Sequence, residues 1–291
     1  MASMRDIKRR KSSIQSTQQI TKAMKLVSTV KLQKARSRAE QSNPYFNYMY
    51  RTVTSMLARS GNMDHPYLRA GESSKKAIIA IASNRGLAGG YNSNIVKLIT
   101  GSDISKEDAQ IYVIGRKAKE AFQRKGYEIK ADYSDVIEGP VYENAVVICK
   151  EVLASFVSGE IGEIYLAYTH FKNTVSHEPT LLKLLPVEFE DASEEENAKA
   201  EDENSKVLMN YEPNEEEALN LIIPKYMASL FYGALVEAVA SENGARMQAM
   251  DSATSNADDM ISDLSLKYNR ARQSSITQEL TEIIAGAEAI S

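Results

Sequence analysis

The C-terminal end of the chain reads KYMASLFYGALVEAVASENGARMQAMDSATSNADDMISDLSLKYNRARQSSITQELTEIIAGAEAIS, from Lys225 to Ser291, and contains no proline. As a helix these 67 residues would measure roughly 100 Å, at about 1.5 Å per residue. A compact globule built from all 291 residues would be only about 50 Å across. The helix cannot fit inside such a globule, so the sequence predicts that it extends beyond a globular body.

The N-terminal segment also predicts a long helix, over residues 1–60. From Met4 to Asn43 it lacks proline and glycine, and its apolar residues recur at steps near three, four and seven. The apolar stripe is thin, which favours a two-helix seam over a globular core. Pro44 is expected either to kink this helix or to split it. The stripe comprises Ile7, Ile14, Ile20, Met24, Val27 and Ala35.

These two helices are expected to pair as an antiparallel coiled coil, since the first ends and the second begins at the same globular middle. The C-terminal helix is the longer one, so its last turns should extend beyond their partner. Those turns carry an apolar stripe at steps of four and three, which requires another protein around it. The alternative is that the tail folds back or frays. The stripe comprises Ile276, Leu280, Ile283, Ile284, Ala287 and Ile290.

Between the helices, short apolar runs alternate with helical stretches. Ala77–Ala82 and Ile111–Gly115 predict strands, each followed by a helix, the first from Asn92 and the second over Lys117–Lys125. This alternation predicts a Rossmann-like α/β domain with a mostly parallel sheet and an antiparallel edge. The later elements are a helix at Ala145–Val157 and strands at Glu163–Phe171, Leu181–Phe189 and Lys206–Tyr211.

The predicted organisation is therefore α/β plus a long coiled coil. An N-terminal shaft helix occupies residues 1–60 and a central α/β domain occupies 75–211. A C-terminal shaft helix occupies 213–291. A solvated acidic loop at 190–205 interrupts the central domain.

The charge of the chain is uneven although its net value is only −4. Residues 1–40 carry eleven basic and two acidic residues, a net +9, while residues 188–217 carry thirteen acids and two lysines, a net −11. Such asymmetry indicates interaction surfaces rather than core. A nucleic-acid-binding arm or an adaptor coiled coil is the alternative interpretation, but the basic segment has no aromatic residue for base stacking.

Composition excludes several functional classes. The single cysteine, Cys149, lies in an apolar run and rules out a disulfide scaffold or zinc finger, and three scattered histidines argue against a metal site. No hydrolase motif is present. The N-terminus lacks the apolar region of a secretory signal. The most apolar stretch, Tyr226–Ser241, is broken by Glu237 and is shorter than the ~20 residues of a membrane span.

One loop has the position, but not the sequence, of a phosphate-binding loop. Ser83–Tyr91 follows a predicted strand and precedes a helix, yet it lacks the G-x-G-x-x-G pattern and the lysine of a P-loop. A tight strand-to-helix turn is the favoured interpretation. We therefore expect no nucleotide site, no cofactor and no metal.

Five motifs resemble the gamma subunit of bacterial F-type ATP synthase, and the resemblance covers the whole chain. They are SENGARMQAMDSATSNA (Ser241–Ala257), YNRARQ (Tyr268–Gln273), ITQELTEIIAGA (Ile276–Ala287), IQSTQQITKAMKLV (Ile14–Val27) and SNRGLAGGYNSN (Ser83–Asn94). The family implies a non-catalytic rotor stalk, an antiparallel coiled coil on an α/β foot. In it, rotation of a membrane c-ring, driven by protons or sodium ions, is coupled to ATP synthesis or hydrolysis.

The resemblance also implies partners and contact residues. Its partners would be the alpha, beta and epsilon subunits and the c-ring, with delta as a further candidate and with neither nucleic acid nor a small-molecule substrate. The protein would lie peripherally on the cytoplasmic side of the cell membrane. The matched positions for beta-subunit contact and coupling are Lys22, Met24, Lys25, Arg246, Arg272, Gln273 and Thr277, and those for the c-ring are Tyr211 and Glu212.

Overall fold

A computed structural model describes residues 3–59, 65–69, 71–187 and 214–288 of the chain. Two long helices begin and end it: α1 (Met4–Arg59) and α5 (Glu215–Glu288). The elements between them are β1 (Lys76–Ile81), α2 (Tyr91–Thr100), β2 (Ala109–Ile114), α3 (Arg116–Lys125), β3 (Glu128–Asp132), α4 (Tyr142–Val157), β4 (Glu163–Phe171) and β5 (His177–Leu185).

The chain divides into two compact units. The coiled-coil unit comprises Met1–Val30 and Arg246–Ser291, and the α/β unit comprises Lys31–Ala245. Helices α1 and α5 therefore each contribute to both units. This division cuts the helices at other points than the predicted boundaries at 60, 75, 211 and 213, which remain predictions.

The α/β unit is built on a five-stranded sheet of order β3-β2-β1-β4-β5. Strands β1 to β4 are parallel, and β5 is antiparallel to β4, to which a hairpin joins it. The order places β1 in the middle. From β1 the chain first adds β2 and β3 on one side and then β4 on the other side, as in doubly wound nucleotide-binding folds. The prediction of a Rossmann-like domain with an antiparallel edge is confirmed.

Helices cover both faces of this sheet. Successive side chains of β1 point to opposite faces, so they pack against different helices. On one face Ile78 packs in a cluster with residues of α2 and α3, including Ile95 and Phe122. On the other face Ile79 packs with α4 and with Phe231 of α5. All five side chains are fully buried, so the α/β unit has a dry core on each side of its sheet.

The structure corrects or narrows three local expectations. Helix α1 continues through Pro44, so of the two alternatives for this proline, a kink or a split, the split is excluded. The strand expected at Leu181–Phe189 begins four residues earlier, at His177, since its first half lies at a partly exposed edge and lacks an apolar run. Strand β3 was not expected from the sequence, because this edge strand is polar at alternate positions. The strand predicted at Lys206–Tyr211 and the acidic loop at 190–205 lie outside the described residues.

Candidate partner-binding surface

The seam of the coiled-coil unit follows a strict seven-residue repeat. Buried or half-buried positions recur at alternating steps of four and three along both helices. Such spacing is the signature of a two-helix coiled coil. On α1 these positions are Ile7, Lys11, Ile14, Gln18, Thr21, Lys25 and Ser28, and on α5 they are Met250, Thr254, Ala257, Ile261, Leu264, Tyr268 and Ala271.

Three side-chain contacts fix the register of the two helices. The hydroxyl oxygens of Thr21 and Thr254 lie 2.8 Å apart, in a part-buried hydrogen bond. Lys25 Nζ lies 2.5 Å from Asp251 Oδ1. The amide of Gln18 donates to the carboxylate of Asp258. As the residue number rises on α1 it falls on α5, so the predicted antiparallel pairing is confirmed.

The apolar stripe predicted from α1 is only partly in the seam. Ile7 and Ile14 are half-buried there, but Ile20 and Val27 are 60% and 56% exposed. Their assignment to the seam was wrong, because the buried position next to each of them is a polar residue, Thr21 after Ile20 and Ser28 after Val27. Small polar side chains permit close approach of the helices and can be satisfied by hydrogen bonds across the seam.

As a result, apolar side chains of α1 lie on the outside of the coiled coil. Ile20, Leu26, Val27 and Val30 are each more than half exposed. Large aliphatic side chains clustered within eleven residues of an exposed helix are typical of a protein interaction surface. We refer to these four residues as the outer patch.

The C-terminal turns of α5 extend past the beginning of α1. The register places Met4 opposite residues near Ala271, and α5 continues to Glu288. The predicted apolar stripe lies on these turns and is exposed, with Ile283 at 67% and Leu280 at 55%. Ile290, the last member of the stripe, lies outside the described residues.

The predicted contact residues fall into two groups. One group lies near the Thr21–Thr254 contact, where Lys22 is exposed and Met24 half-buried, and where Lys25 is already paired with Asp251. Arg246 is nearly buried, at 9% exposure, and offers little surface to a partner.

The second group is exposed and lies on α5, far from the first group along the coiled coil. Arg272, Gln273 and Thr277 are all exposed, and Arg272 is roughly 30 Å from Asp251 at about 1.5 Å per residue. The predicted residues thus form a track along the coiled coil rather than one cluster. Tyr211 and Glu212, predicted for the c-ring, lie outside the described residues.

The strand-to-helix turn that follows β1 is held in place by two asparagine side chains of the chain itself. Asn84 Oδ1 accepts a hydrogen bond from the backbone N–H of Arg116 at the start of α3, at 3.0 Å. Asn92 Oδ1 accepts from the backbone N–H of Ser83 at 2.9 Å. Gly115 has φ 99°, and a Cβ there would lie 2.2 Å from the carbonyl oxygen of Ala82. The loop at 83–91 is therefore a tight turn whose Asn84 side chain caps the first turn of α3.

Other candidate chemistry has structural explanations. Cys149 is buried in the core beneath the sheet, and burial raises the pKa of its thiol to about 12, which keeps it unreactive at neutral pH. Within the described ranges, no group of three metal-ligating side chains comes together. One window of α5 has a mean hydropathy of 1.3 and passes the length and composition test for a membrane span, but 56% of it is buried inside the protein, as expected for a core helix.

Comparison with known proteins agrees with this arrangement. The family model described as ATP synthase matches residues 3–290. An ATP synthase gamma chain from Lachnoclostridium phytofermentans is 73% identical over 291 residues, covering all of both chains. A sodium-ion-specific ATP synthase gamma chain from Acetobacterium woodii is 40% identical over 298 residues, covering 99% of this chain and 98% of the relative.

Solved structures show the same fold. A chain of the Euglena gracilis mitochondrial ATP synthase superposes with a TM-score of 0.67 at 18% identity, covering 99% of this chain and 94% of its own. A chain from the central stalk and c-ring of the Tetrahymena thermophila mitochondrial enzyme gives a TM-score of 0.58 at 23% identity, covering 80% and 99%.

A Rossmann-like domain together with an antiparallel coiled coil that exposes apolar side chains is typical of a stalk-type subunit of a larger assembly. The family match and the full-length identities make the assignment specific: the chain belongs to the ATP synthase gamma chain family. The alternative of a nucleic-acid-binding or adaptor coiled coil has no support in these comparisons.

Proposed function

We propose that the chain is the central rotor shaft of an F-type ATP synthase, coupling ion-driven rotation of a c-ring to ATP synthesis or hydrolysis at alpha/beta catalytic sites. The observation that carries this proposal is the outer patch on a coiled coil with a polar seam. The apolar side chains are placed where a surrounding protein can cover them, while the two helices are held together by hydrogen bonds and heptad packing.

The exposed C-terminal turns support the same function. Ile276, Leu280, Ile283 and Ile284 are all about half exposed or more. Apolar contacts are non-directional, so a shaft end that turns inside an apolar sleeve breaks no hydrogen bonds as it rotates. This part of α5 is therefore suited to act as a bearing.

The contact residues are proposed to bind a beta subunit through two kinds of interaction, ion pairs and hydrogen bonds. Lys22 is exposed and can meet acidic side chains of a beta subunit. Lys25 would have to exchange its bond to Asp251 for such a contact. Arg272 and Gln273 offer a guanidinium and an amide on adjacent positions, which can hydrogen-bond a loop of one beta subunit at a given shaft angle.

The remaining partners and the location rest on the resemblance. We propose that Tyr211 and Glu212 touch the c-ring, and that epsilon binds the α/β unit with delta as a further candidate. The complex would be peripheral at the cytoplasmic face of the cell membrane. The domain boundaries at 1–60, 75–211 and 213–291 are part of the same proposal.

The coupling proposal can be tested by assembling the chain with the alpha and beta subunits of its own organism. We expect Arg272→Ala/Gln273→Ala to form a stable complex whose multisite ATP hydrolysis falls about tenfold, the effect of losing roughly 1.4 kcal/mol of transition-state stabilisation. A chain truncated after Arg272 removes the bearing and should assemble less stably.

The chain offers a matched control in Gln123 and Arg124, an exposed pair of the same two residue types on α3 of the α/β unit. Gln123→Ala/Arg124→Ala should leave hydrolysis unchanged. Normal turnover by the Arg272/Gln273 variant would reject these residues as the coupling contact. Failure of the unaltered chain to co-purify with alpha and beta would reject the rotor proposal as a whole.

A further inference from the structure

A cavity of about 350 Å³ lies within the α/β unit, between α1, α5 and the β4–β5 side of the sheet. Its volume falls in the range of small-molecule sites in proteins. Four of its lining side chains are tyrosines, contributed by four different elements, and one is a carboxylate. These five residues are Tyr45, Tyr142, Tyr168, Tyr232 and Glu237.

Two of the tyrosine rings meet at nearly a right angle. The rings of Tyr142 and Tyr232 have centroids 6.0 Å apart and an interplanar angle of 83°. Tyr168 comes from β4 and is largely buried, and burial, followed by the charge of Glu237, raises its pKa to about 12. The face of an aromatic ring carries the partial negative charge of its quadrupole, so the tyrosines make the cavity wall electron-rich.

The carboxylate in the wall retains an open oxygen. Glu237 Oε2 lies 2.7 Å from His170 Nδ1. The other oxygen, Oε1, has no hydrogen-bond partner among the residues described. Among the described residues, no Lys or Arg side chain lines the cavity. The cavity thus combines electron-rich aromatic faces with one carboxylate oxygen still available to a ligand.

We propose that this cavity binds a small organic cation, an ammonium group carried on an apolar aromatic or alkyl body. Aromatic rings gathered beside a carboxylate recognise alkylammonium groups through cation–π attraction and charge pairing. The apolar lining accommodates the body, and Glu237 supplies the countercharge. The site is independent of the coiled coil and of the rotor function proposed above.

Two isosteric probes separate recognition of charge from simple apolar filling. Para-hydroxyphenyltrimethylammonium and para-tert-butylphenol have the same shape and differ in a single positive charge. Binding to the purified full-length chain is measured by saturation-transfer NMR and by the rise in melting temperature with probe concentration. We expect the ammonium probe to bind about tenfold more tightly, in line with a cation–π contribution near the middle of its usual range.

Variants assign the effect to named groups. Glu237→Gln keeps the side-chain shape and should remove most of the preference for the cation, while binding of the uncharged probe stays the same. Tyr45→Leu removes a ring that is 53% exposed, so the fold should be retained, and it should weaken the cation alone. Glu178→Gln is the control, since Glu178 pairs with Lys172 on the same hairpin and does not line the cavity.

The outcomes are distinguishable. Equal binding of the two probes, a preference that survives Glu237→Gln, or no saturable binding at millimolar concentration would each overturn the proposal. Because the assay uses the isolated chain and no ATP, none of these results bears on the assembly and hydrolysis test of the rotor function.

Discussion

The two units of this protein place their apolar residues in opposite ways. In the α/β unit, every residue of β1 from Ala77 to Ile81 is 0% exposed, and the helices on both faces turn their large side chains inward. In the coiled-coil unit, threonine and serine lie in the seam, while Ile20 and Leu26 are about 60% exposed. One unit buries its hydrophobic surface within the chain, and the other offers it to the outside.

This difference indicates where each unit obtains its stability. Burial of apolar surface is the main favourable term in folding, so the α/β unit can be stable by itself. The seam of the coiled-coil unit buries few large side chains, so we expect this unit to gain stability when a partner of the proposed complex covers the outer patch and the end of α5. Three measurements can test this comparison.

The largest expected effect is in the core of the α/β unit. Phe231 is fully buried where α5 packs against the sheet, so Phe231→Ala should cost about 3–5 kcal/mol of unfolding free energy. Ile283→Ala, at a side chain 67% exposed, should change the stability of the isolated chain by less than about 0.5 kcal/mol. Urea unfolding is followed by tyrosine fluorescence, which reports mainly on the α/β unit because Tyr268 is the one tyrosine of the coiled-coil segments, and by far-ultraviolet circular dichroism, which reports on the helices of both units.

The comparison would fail if Ile283→Ala destabilised the isolated chain as much as Phe231→Ala does. It would be sharpened if Ile283→Ala weakened the assembled complex while leaving the isolated chain unchanged, since that side chain would then act only through a partner.

A smaller change in stability is expected from Glu163, which forms ion pairs with Lys76 and Lys183 on the sheet. Burial of Glu163 opposes its ionisation, but hydrogen bonds from Lys76, Lys183 and Tyr165 outweigh it and lower the pKa of the carboxyl to about 2. Because the folded pKa lies below the ordinary 4.5, the stabilisation is complete above pH 4.5 and is lost as the pH falls towards 2. Glu163→Gln should cost about 2 kcal/mol at pH 7 and nothing near pH 2.

The measurement is the free energy of unfolding as a function of pH for the two proteins. Glu178→Gln, which removes an exposed ion pair with Lys172, should change stability by less than about 1 kcal/mol across the same range. A constant difference between Glu163→Gln and the unaltered chain from pH 7 to pH 2 would contradict the assignment.

The smallest effect is expected in the seam. A double-mutant cycle of Thr21→Val and Thr254→Val should give a coupling energy of about 1 kcal/mol, because each single change leaves one part-buried hydroxyl without its partner. The exposed pair Lys25 and Asp251, 39% and 61% exposed, should give less than about 0.5 kcal/mol in the parallel cycle. Amide hydrogen exchange of residues 250–258 measures both, and equal coupling in the two cycles would show that the part-buried hydroxyl pair contributes no more than the more exposed ion pair beside it.

The sequence predicted the architecture well where hydrophobic patterns are strong. The continuous run at Ala77–Ala82 and the long proline-free C-terminal segment each specify one solution, since a buried parallel strand and a long helix are the structures these patterns favour. Edge strands were harder to predict from the sequence, because β3 and the first half of β5 are partly exposed and carry polar residues instead of a continuous apolar run.

The seam was misassigned for a different reason. A search for periodic apolar residues selected Ile20 and Val27, whereas the seven-residue repeat passes through Gln18, Thr21 and Lys25. The spacing itself was present in the sequence, but it could be recognised only by asking which positions repeat at steps of four and three regardless of polarity. The cavity lined by tyrosines could not be foreseen, because its members come from α1, α4, β4 and α5 and meet only in the folded chain.

The strict seven-residue repeat has a mechanical consequence. Two helices that keep such a repeat wind around each other with a left-handed supercoil. Torque of one sign winds a left-handed supercoil more tightly and presses its two helices together. Torque of the other sign unwinds it and stretches the hydrogen bonds between the helices. Under the proposed rotor function, the two senses of rotation would therefore load the coiled coil unequally.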